Sequence, residues 1–168
     1  MKKDFVILVN RQDEPVGVEG KMVAHKKGKL HRAFSIFIFN KRGELLLQQR
    51  AKNKYHSPGL WTNTCCSHPK PGEGTLLAAH RRLKQEMGFN CPLKAIFSFV
   101  YKAKFSNGLT EHEYDHVFTG KFNGQPKINL REAQAFKWVE IAWLKNDLKI
   151  NPGLYTVWFK KCWKHLPT

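Results

Sequence analysis

The stretch WTNTCCSHP, residues 61–69, sets Cys65 and Cys66 side by side with His68 just beyond them. That grouping fits three chemistries: metal ligation, thiol redox exchange, or one reactive thiol beside a metal-binding histidine. Redox pairing of Cys65 with Cys66 is the weakest, because neighbouring residues meet disulfide geometry poorly. The sequence has no C-x-x-C, the commonest spacing of a structural zinc site, and Cys91 and Cys162 stand alone. A second group is TEHEYDH, residues 110–116. Alternate residues of a strand share a face, so Glu111, Glu113 and Asp115 would line up about 7 Å apart. Carboxylates so placed repel one another unless a cation lies among them. The plain alternative is an acidic stripe facing solvent. His25 and His31 bracket KKGKL, a loop-like stretch. With His68 they offer three imidazoles, to which Glu111 and Glu113 add two carboxylates. That donor set suits zinc, manganese or magnesium. In PGEGTLLAAHRRLKQEMGF, residues 71–89, Glu73 precedes a helical pattern carrying Arg81, Arg82 and Glu86. Glu86 suits a magnesium ion bridging phosphate oxygens, and Arg82 suits a phosphate. An amphipathic helix with a charged outer face is the competing reading.

Several elements must position these groups. FVILVN, residues 5–10, reads as a strand, and AFSIFIFN, residues 33–40, as a bulkier one. NKRG supplies a turn, from which ELLLQQR, residues 44–50, returns as a hairpin partner. GLWTNTCCS is extended, and HPKPGEG is a loop punctuated by proline and glycine. A helix is predicted over Thr75 to Met87, capped by Thr75 and closed by Gly88. Its apolar stripe is Leu76, Leu83 and Met87, with Ala79 and His80 between. Residues 93–105 and 110–122 flank SNG as a second hairpin, and AFKWVEI, residues 135–141, is a further strand. NPGLYTVWFKKCWKHL, residues 151–166, is predicted as a terminal helix with Asn151 as cap and Pro152 in its first turn. The sum is an α+β fold: a mixed sheet, one central helix and a C-terminal helix.

Composition narrows the function. A chain of 168 residues fits a single domain over 1–168 with a real core. No apolar run reaches the length of a membrane helix, and Phe5 to Val9 is too short for a signal sequence. Those features, with thiols expected to be reduced, point to the cytoplasm and to no membrane partner. The formal charge is +16, from 29 basic and 13 acidic residues. It suits either nucleic acid or a small polyanion such as a diphosphate. The basic residues are scattered through HKKGKLHR, RAKNK, RRLK and KKCWK, without a basic helix, an aromatic RNA-binding signature or a zinc finger. A solvated basic surface is the plain reading of any single cluster, and no nucleic-acid partner is expected.

GLWTNTCCSHP, HKKGKLHRAFSIFIFN, TEHEYDHVF and NPGLYTVWFK together resemble the type 1 isopentenyl-diphosphate isomerases, over nearly the whole chain. The resemblance implies a Nudix-type fold, with residues 75–87 as the Nudix helix. Of the Nudix box G-x5-E-x7-R-E-U-x-E-E-x-G-U, where U is apolar, the chain keeps Glu73, Arg81, Leu83, Glu86, Gly88 and Phe89. It departs at Ser67, Arg82 and Gln85. Two lost carboxylates and a gained arginine weaken a hydrolytic magnesium site yet still suit gripping a diphosphate. This favours an isomerase over a Nudix pyrophosphohydrolase, with a basic nucleic-acid-binding module as the rival from another class.

By the same resemblance, Cys66 is the reactive thiol; strand alternation should turn Cys65 the other way. His25, His31, His68, Glu111 and Glu113 hold a divalent metal, and Glu113 is also catalytic. Tyr101 is the active-site tyrosine and Trp158 lines the pocket. Lys21, Arg50, Lys54 and Arg82 bind the diphosphate, with a magnesium ion bridging it to Glu86. The expected reaction converts isopentenyl to dimethylallyl diphosphate, with no flavin. Glu113, aided by Tyr101, would deliver one proton, and Cys66 would remove another as a thiolate of lowered pKa. The expected partner is the small-molecule substrate, with the chain a monomer or weak homo-oligomer.

Overall fold

The computed structural model describes residues 4–166. Nine strands form one mixed sheet. β1 (Phe5–Val9) pairs with β2 (Pro15–Gly20), and α1 (Lys21–Lys27) then leads into β3 (His31–Phe39). β4 (Leu45–Arg50), β5 (Trp61–Thr62) and β6 (Cys65–Ser67) follow, then α2 (Thr75–Met87). β7 (Leu93–Lys104) and β8 (Thr110–Lys121) form the long hairpin, and β9 (Ala133–Val139), α3 (Ile141–Ile150) and α4 (Val157–Trp163) complete the chain. β3 runs parallel to β8; the other named pairings are antiparallel.

Strand alternation builds a layer on each side of the sheet. Phe34, Ile36 and Ile38 of β3 pack with Ala78, Ala79, Leu83 and Met87 of α2. Phe37 turns the other way, to Leu144 of α3, Tyr155 and Phe159 of α4. Fully burying a side chain such as Leu83 or Met87 is worth roughly 1.5–3 kcal/mol, which is why α2 locks onto the sheet.

The hairpin between β3 and β4 differs from the simple one expected. The two strands meet only at Phe39 opposite Leu45. Beyond that point they splay: β3 takes β6 and β8, and β4 takes β5 and β9. Buried side chains from NT in WTNTCC serve the backbone groups freed by the split. The Thr64 hydroxyl accepts from the Ile38 N–H at 3.0 Å and donates to the Leu46 carbonyl at 2.6 Å. The Asn63 amide donates to the carbonyls of Ile36 and Cys65, at 3.2 and 2.8 Å.

Other departures have local causes. Thr75 is the first helical residue of α2; Gly74 is the N-cap, without a side-chain cap bond. Leu76 is 45% exposed, so the apolar stripe runs through Ala79, Leu83 and Met87 without it. Gly88 closes the helix at φ 79°, where a Cβ would stand 2.3 Å from the Lys127 carbonyl oxygen. The KKGKL region is helical as far as Lys27 and closes on Gly28 at φ 61°. The last strand begins at Ala133 and stops at Val139, because Glu140 is already the N-cap of α3. β2 and α3 were not expected from the sequence. The terminal segment is not one helix. Asn151 ends α3, Pro152–Leu154 form a 3-10 turn, and an extended break at Tyr155–Thr156 precedes α4. The Thr156 N–H donates to the Trp61 carbonyl at 3.0 Å, holding that break against β5.

Replacing Thr64 by valine keeps its shape but leaves a buried N–H and a buried carbonyl unpaired. The variant should lose about 2–4 kcal/mol of unfolding free energy in urea titration; an unchanged midpoint would show that the splay does not need this bridge.

Candidate active site

β8 presents Glu111, Glu113 and Asp115 on one face, as alternation requires, and all three are buried. Parallel pairing sets His31 of β3 opposite Glu113, and antiparallel pairing sets Tyr101 of β7 opposite the same residue. His25 comes from α1, and His68 lies just past β6. The Tyr101 hydroxyl bridges the carboxylates, 2.8 Å from Glu111 Oε2 and 2.6 Å from Glu113 Oε2. Asp115 accepts from the Ser35 hydroxyl at 2.7 Å.

The imidazoles are oriented as donors toward a common centre. His25 Nδ1 lies 2.7 Å from the Lys21 carbonyl and His31 Nδ1 2.8 Å from that of Lys29. An N–H given to a carbonyl leaves Nε2 as a free lone pair, the usual outer support of a metal-binding histidine. His31 Nε2 lies 3.3 Å from His68 Nε2, and His68 Nε2 lies 2.9 Å from Glu113 Oε1. His25 Nε2 is buried without a hydrogen-bond partner among the described residues. Donor atoms of His25, His31, His68 and Glu113 all fall within 4.8 Å of one another, as do those of His25, His56 and Glu111. An orphaned lone pair amid clustered imidazoles and carboxylates fits a divalent cation. Glu111, expected beside the other four, groups with His56 across His25.

Electrostatics agree with that reading. Burial lowers the His25 pKa and takes that of His68 down to about 3, which favours the neutral rings that a metal ion would need. Burial would also lower His31, but the hydrogen bond and charge of Glu113 outweigh it and raise the pKa. Burial works to raise Glu113, yet its contacts with His31 and His68 hold it well below the usual carboxylate range. Burial, then the Glu113 charge, raises Asp115 far above its ordinary value, keeping it protonated.

These groups open onto a narrow cavity of about 70 Å³. Cys66, Tyr101, Glu111, Glu113, His68 and Trp158 line it, together with Lys21, Arg50, Lys54, Arg82 and Glu86. The structure thus gathers the expected residues around one cavity, with His25 and His31 buried behind its wall. Cys65 points into the α2 layer, as alternation implied. The expected thiolate is not what the pocket favours. Cys66 lines the cavity, and burial pushes its thiol pKa well up, with Arg50 pulling the other way.

The cavity continues into a wider basin of about 910 Å³, whose walls share Lys21, Lys54 and Arg82 and add Lys70, Arg81 and Arg131. Arg50 stays inside, its guanidinium 5.0 Å from the Trp158 ring. Arg82 pairs with Glu86 at 2.5 Å and with Glu132 at 3.1 Å, and Lys54 pairs with Glu132. Gln48 donates to the other oxygen of Glu86 at 3.0 Å. In the degenerate Nudix box, Glu73 forms a two-bonded ion pair with Arg81 at 2.6 and 2.7 Å. Gln48, Tyr55, His56 and Glu132 also line the cavity but were missed. Tyr55 and His56 sit in a turn-rich loop without periodicity. Glu132 lies in an irregular segment just before β9, where no local pattern marks a site.

The NUDIX domain family matches residues 29–159. Isopentenyl-diphosphate Delta-isomerase 2 of Photorhabdus laumondii is 55% identical over 158 residues, covering 94% of this chain and 89% of the relative. The isopentenyl-diphosphate Delta-isomerase of Serratia proteamaculans is 49% identical over 163 residues, covering 97% and 91%. The crystal structure of DR0079 from Deinococcus radiodurans shares the fold, with TM-score 0.74 at 17% identity over 88% of this chain and 90% of that one.

Titration with manganese or zinc should load the cluster, and His25→Ala should weaken binding at least about tenfold, since it removes a preoriented lone pair. Competition with a chromophoric chelator measures this; equal affinity in the variant would remove His25 from the ligand set.

Proposed function

The chain belongs to the NUDIX domain family and, within it, to the isopentenyl-diphosphate Delta-isomerases, and we propose how it turns isopentenyl diphosphate into dimethylallyl diphosphate: Cys66 and Glu113 are the two proton carriers. The observation that supports this is that both groups, with Tyr101, line one narrow cavity. Moving the double bond adds a proton at the terminal carbon and removes one two carbons away, through a tertiary carbocation. One carrier must hold a proton while the other lacks one. The pocket builds in that difference: burial keeps the Cys66 thiol protonated, and His31 and His68 keep Glu113 ionised. The two transfers invert the difference, and the return reaction or proton exchange with water resets it. Tyr101, bonded to both carboxylates, holds Glu113 in place and passes protons along the Glu111–Glu113 edge.

Trp158 faces the reacting carbons. A desolvated cation over its ring gains on the order of 2 kcal/mol, and the Arg50 guanidinium already lies against that face. Lys21, Lys54 and Arg82, shared by cavity and basin, hold the diphosphate so that its binding orients the alkene. A divalent ion held by His25, His31, His68, Glu111 and Glu113 would supply positive charge that offsets the crowded carboxylates and raises the acidity of a proton on Glu113. Three imidazoles favour zinc or manganese there over magnesium. Glu86, a buried carboxylate in the cavity wall beside Arg82, would hold magnesium against the diphosphate.

Pure proton transfer needs no flavin. Residues 1–168 act as one catalytic domain, and a monomer suffices because one chain supplies every named group. Four free thiols suit the reducing cytoplasm. Among the described residues no helix is long and apolar enough to cross a membrane.

With isopentenyl diphosphate as substrate, Cys66→Ala and Glu113→Gln should each lower kcat by about 10²–10⁴, read as acid-labile allylic product. Near-normal turnover in either variant, or phosphate release in place of isomerisation, would defeat the assignment. If Cys66 rests as a thiol, its alkylation by iodoacetamide, followed by peptide mass spectrometry, should still accelerate as pH rises through 9. A plateau reached near neutral pH would mean a resting thiolate.

A further inference from the structure

His25 has one free ring nitrogen, because its Nδ1 is committed to the Lys21 carbonyl. That single Nε2 belongs to two groups of donors: His31, His68 and Glu113 on one side, His56 and Glu111 on the other. One lone pair serves one ion, so the two groups cannot hold separate ions through His25 at the same time. His56 is the member absent from the sequence pattern.

His56 is 5% exposed. It stacks on Phe105, with centroids 4.9 Å apart at 12°, and stands edge-on to Trp158 at 5.4 Å. These neighbours fix the ring and offer it no acceptor; neither ring nitrogen has a hydrogen-bond partner among the described residues. Yet Nε2 lies 2.9 Å from Glu111 Oε1, off the line of an N–H···O bond. Two donors aimed at one cation approach each other in this way, since atoms bound at about 2.0–2.2 Å to the same ion are about 3 Å apart. A buried imidazole with neither nitrogen hydrogen-bonded is otherwise an unfavourable arrangement.

We propose that His56 is a fourth imidazole ligand of the metal centre, reaching it from the cavity side next to Glu111. The inference rests on reading the His–Glu cluster as a metal centre. It explains why Glu111 falls beside His56, and it places one ligand on the loop that walls the cavity, so that ion binding would order that wall.

Pulsed electron paramagnetic resonance on the manganese-loaded full chain counts the imidazole nitrogens bound to the ion. Four are expected; three would overturn the proposal, whatever the variants do. His56→Ala should lose one nitrogen coupling and bind manganese at least about tenfold more weakly. Added imidazole should restore the fourth coupling in His56→Gly, which separates a lost ligand from a disturbed fold. An unchanged count in His56→Ala would assign His56 to holding Glu111 by a hydrogen bond and overturn ligation. None of these readings uses turnover: a four-nitrogen centre in a chain that fails to isomerise isopentenyl diphosphate would defeat the functional reading alone, whereas three nitrogens in an active enzyme would defeat this inference alone.

Discussion

Three carboxylates on one buried face of a strand are the constraint around which this molecule is organised. Glu111, Glu113 and Asp115 are all nearly inaccessible, and charges so close in a low-dielectric setting cannot all persist uncompensated. Each is relieved differently. Asp115 keeps its proton and leans on Ser35. Glu113 stays ionised because His31 and His68 approach it, and Tyr101 spans the gap to Glu111. Imidazoles, phenol and the implied cation are thus answers to one electrostatic problem.

The second determinant is the split between β3 and β4. A regular hairpin would pair β3 with β4 along their length; here they part beyond Phe39 and Leu45. Asn63 and Thr64 fill that gap with side-chain hydrogen bonds, and the residues after them emerge on β6. There Cys65 turns into the α2 layer and Cys66 into the cavity. The polar half of WTNTCCSHP is therefore structural scaffolding for the chemical half.

The large positive charge has a local counterpart. Lys21, Lys54 and Arg82 ring the passage from cavity to basin, yet Arg82 and Lys54 are tied to Glu86 and Glu132. An anion entering the basin meets cations already held in place by carboxylates, which limits the side-chain ordering that binding requires. The residual Nudix box now works as a brace: Glu73 and Arg81 bind each other across the loop and helix.

What the sequence by itself determined is what short-range periodicity carries. Alternation put Glu111, Glu113 and Asp115 on one face and separated Cys65 from Cys66. Helical spacing placed α2 between Thr75 and Met87, and the motif resemblance collected most of the cavity lining. What only the tertiary structure decided depends on residues far apart in the chain: His56 against Glu111, Lys54 against Glu132, Ser35 against Asp115, and the splay of a hairpin that reads locally as regular. The protonation states belong to this second class. The expected mechanism asked for a Cys66 thiolate, but burial in the folded pocket raises its pKa and outweighs the pull of Arg50. Desolvation and long-range pairing arise only when the chain is packed, so no local pattern of residue types records them.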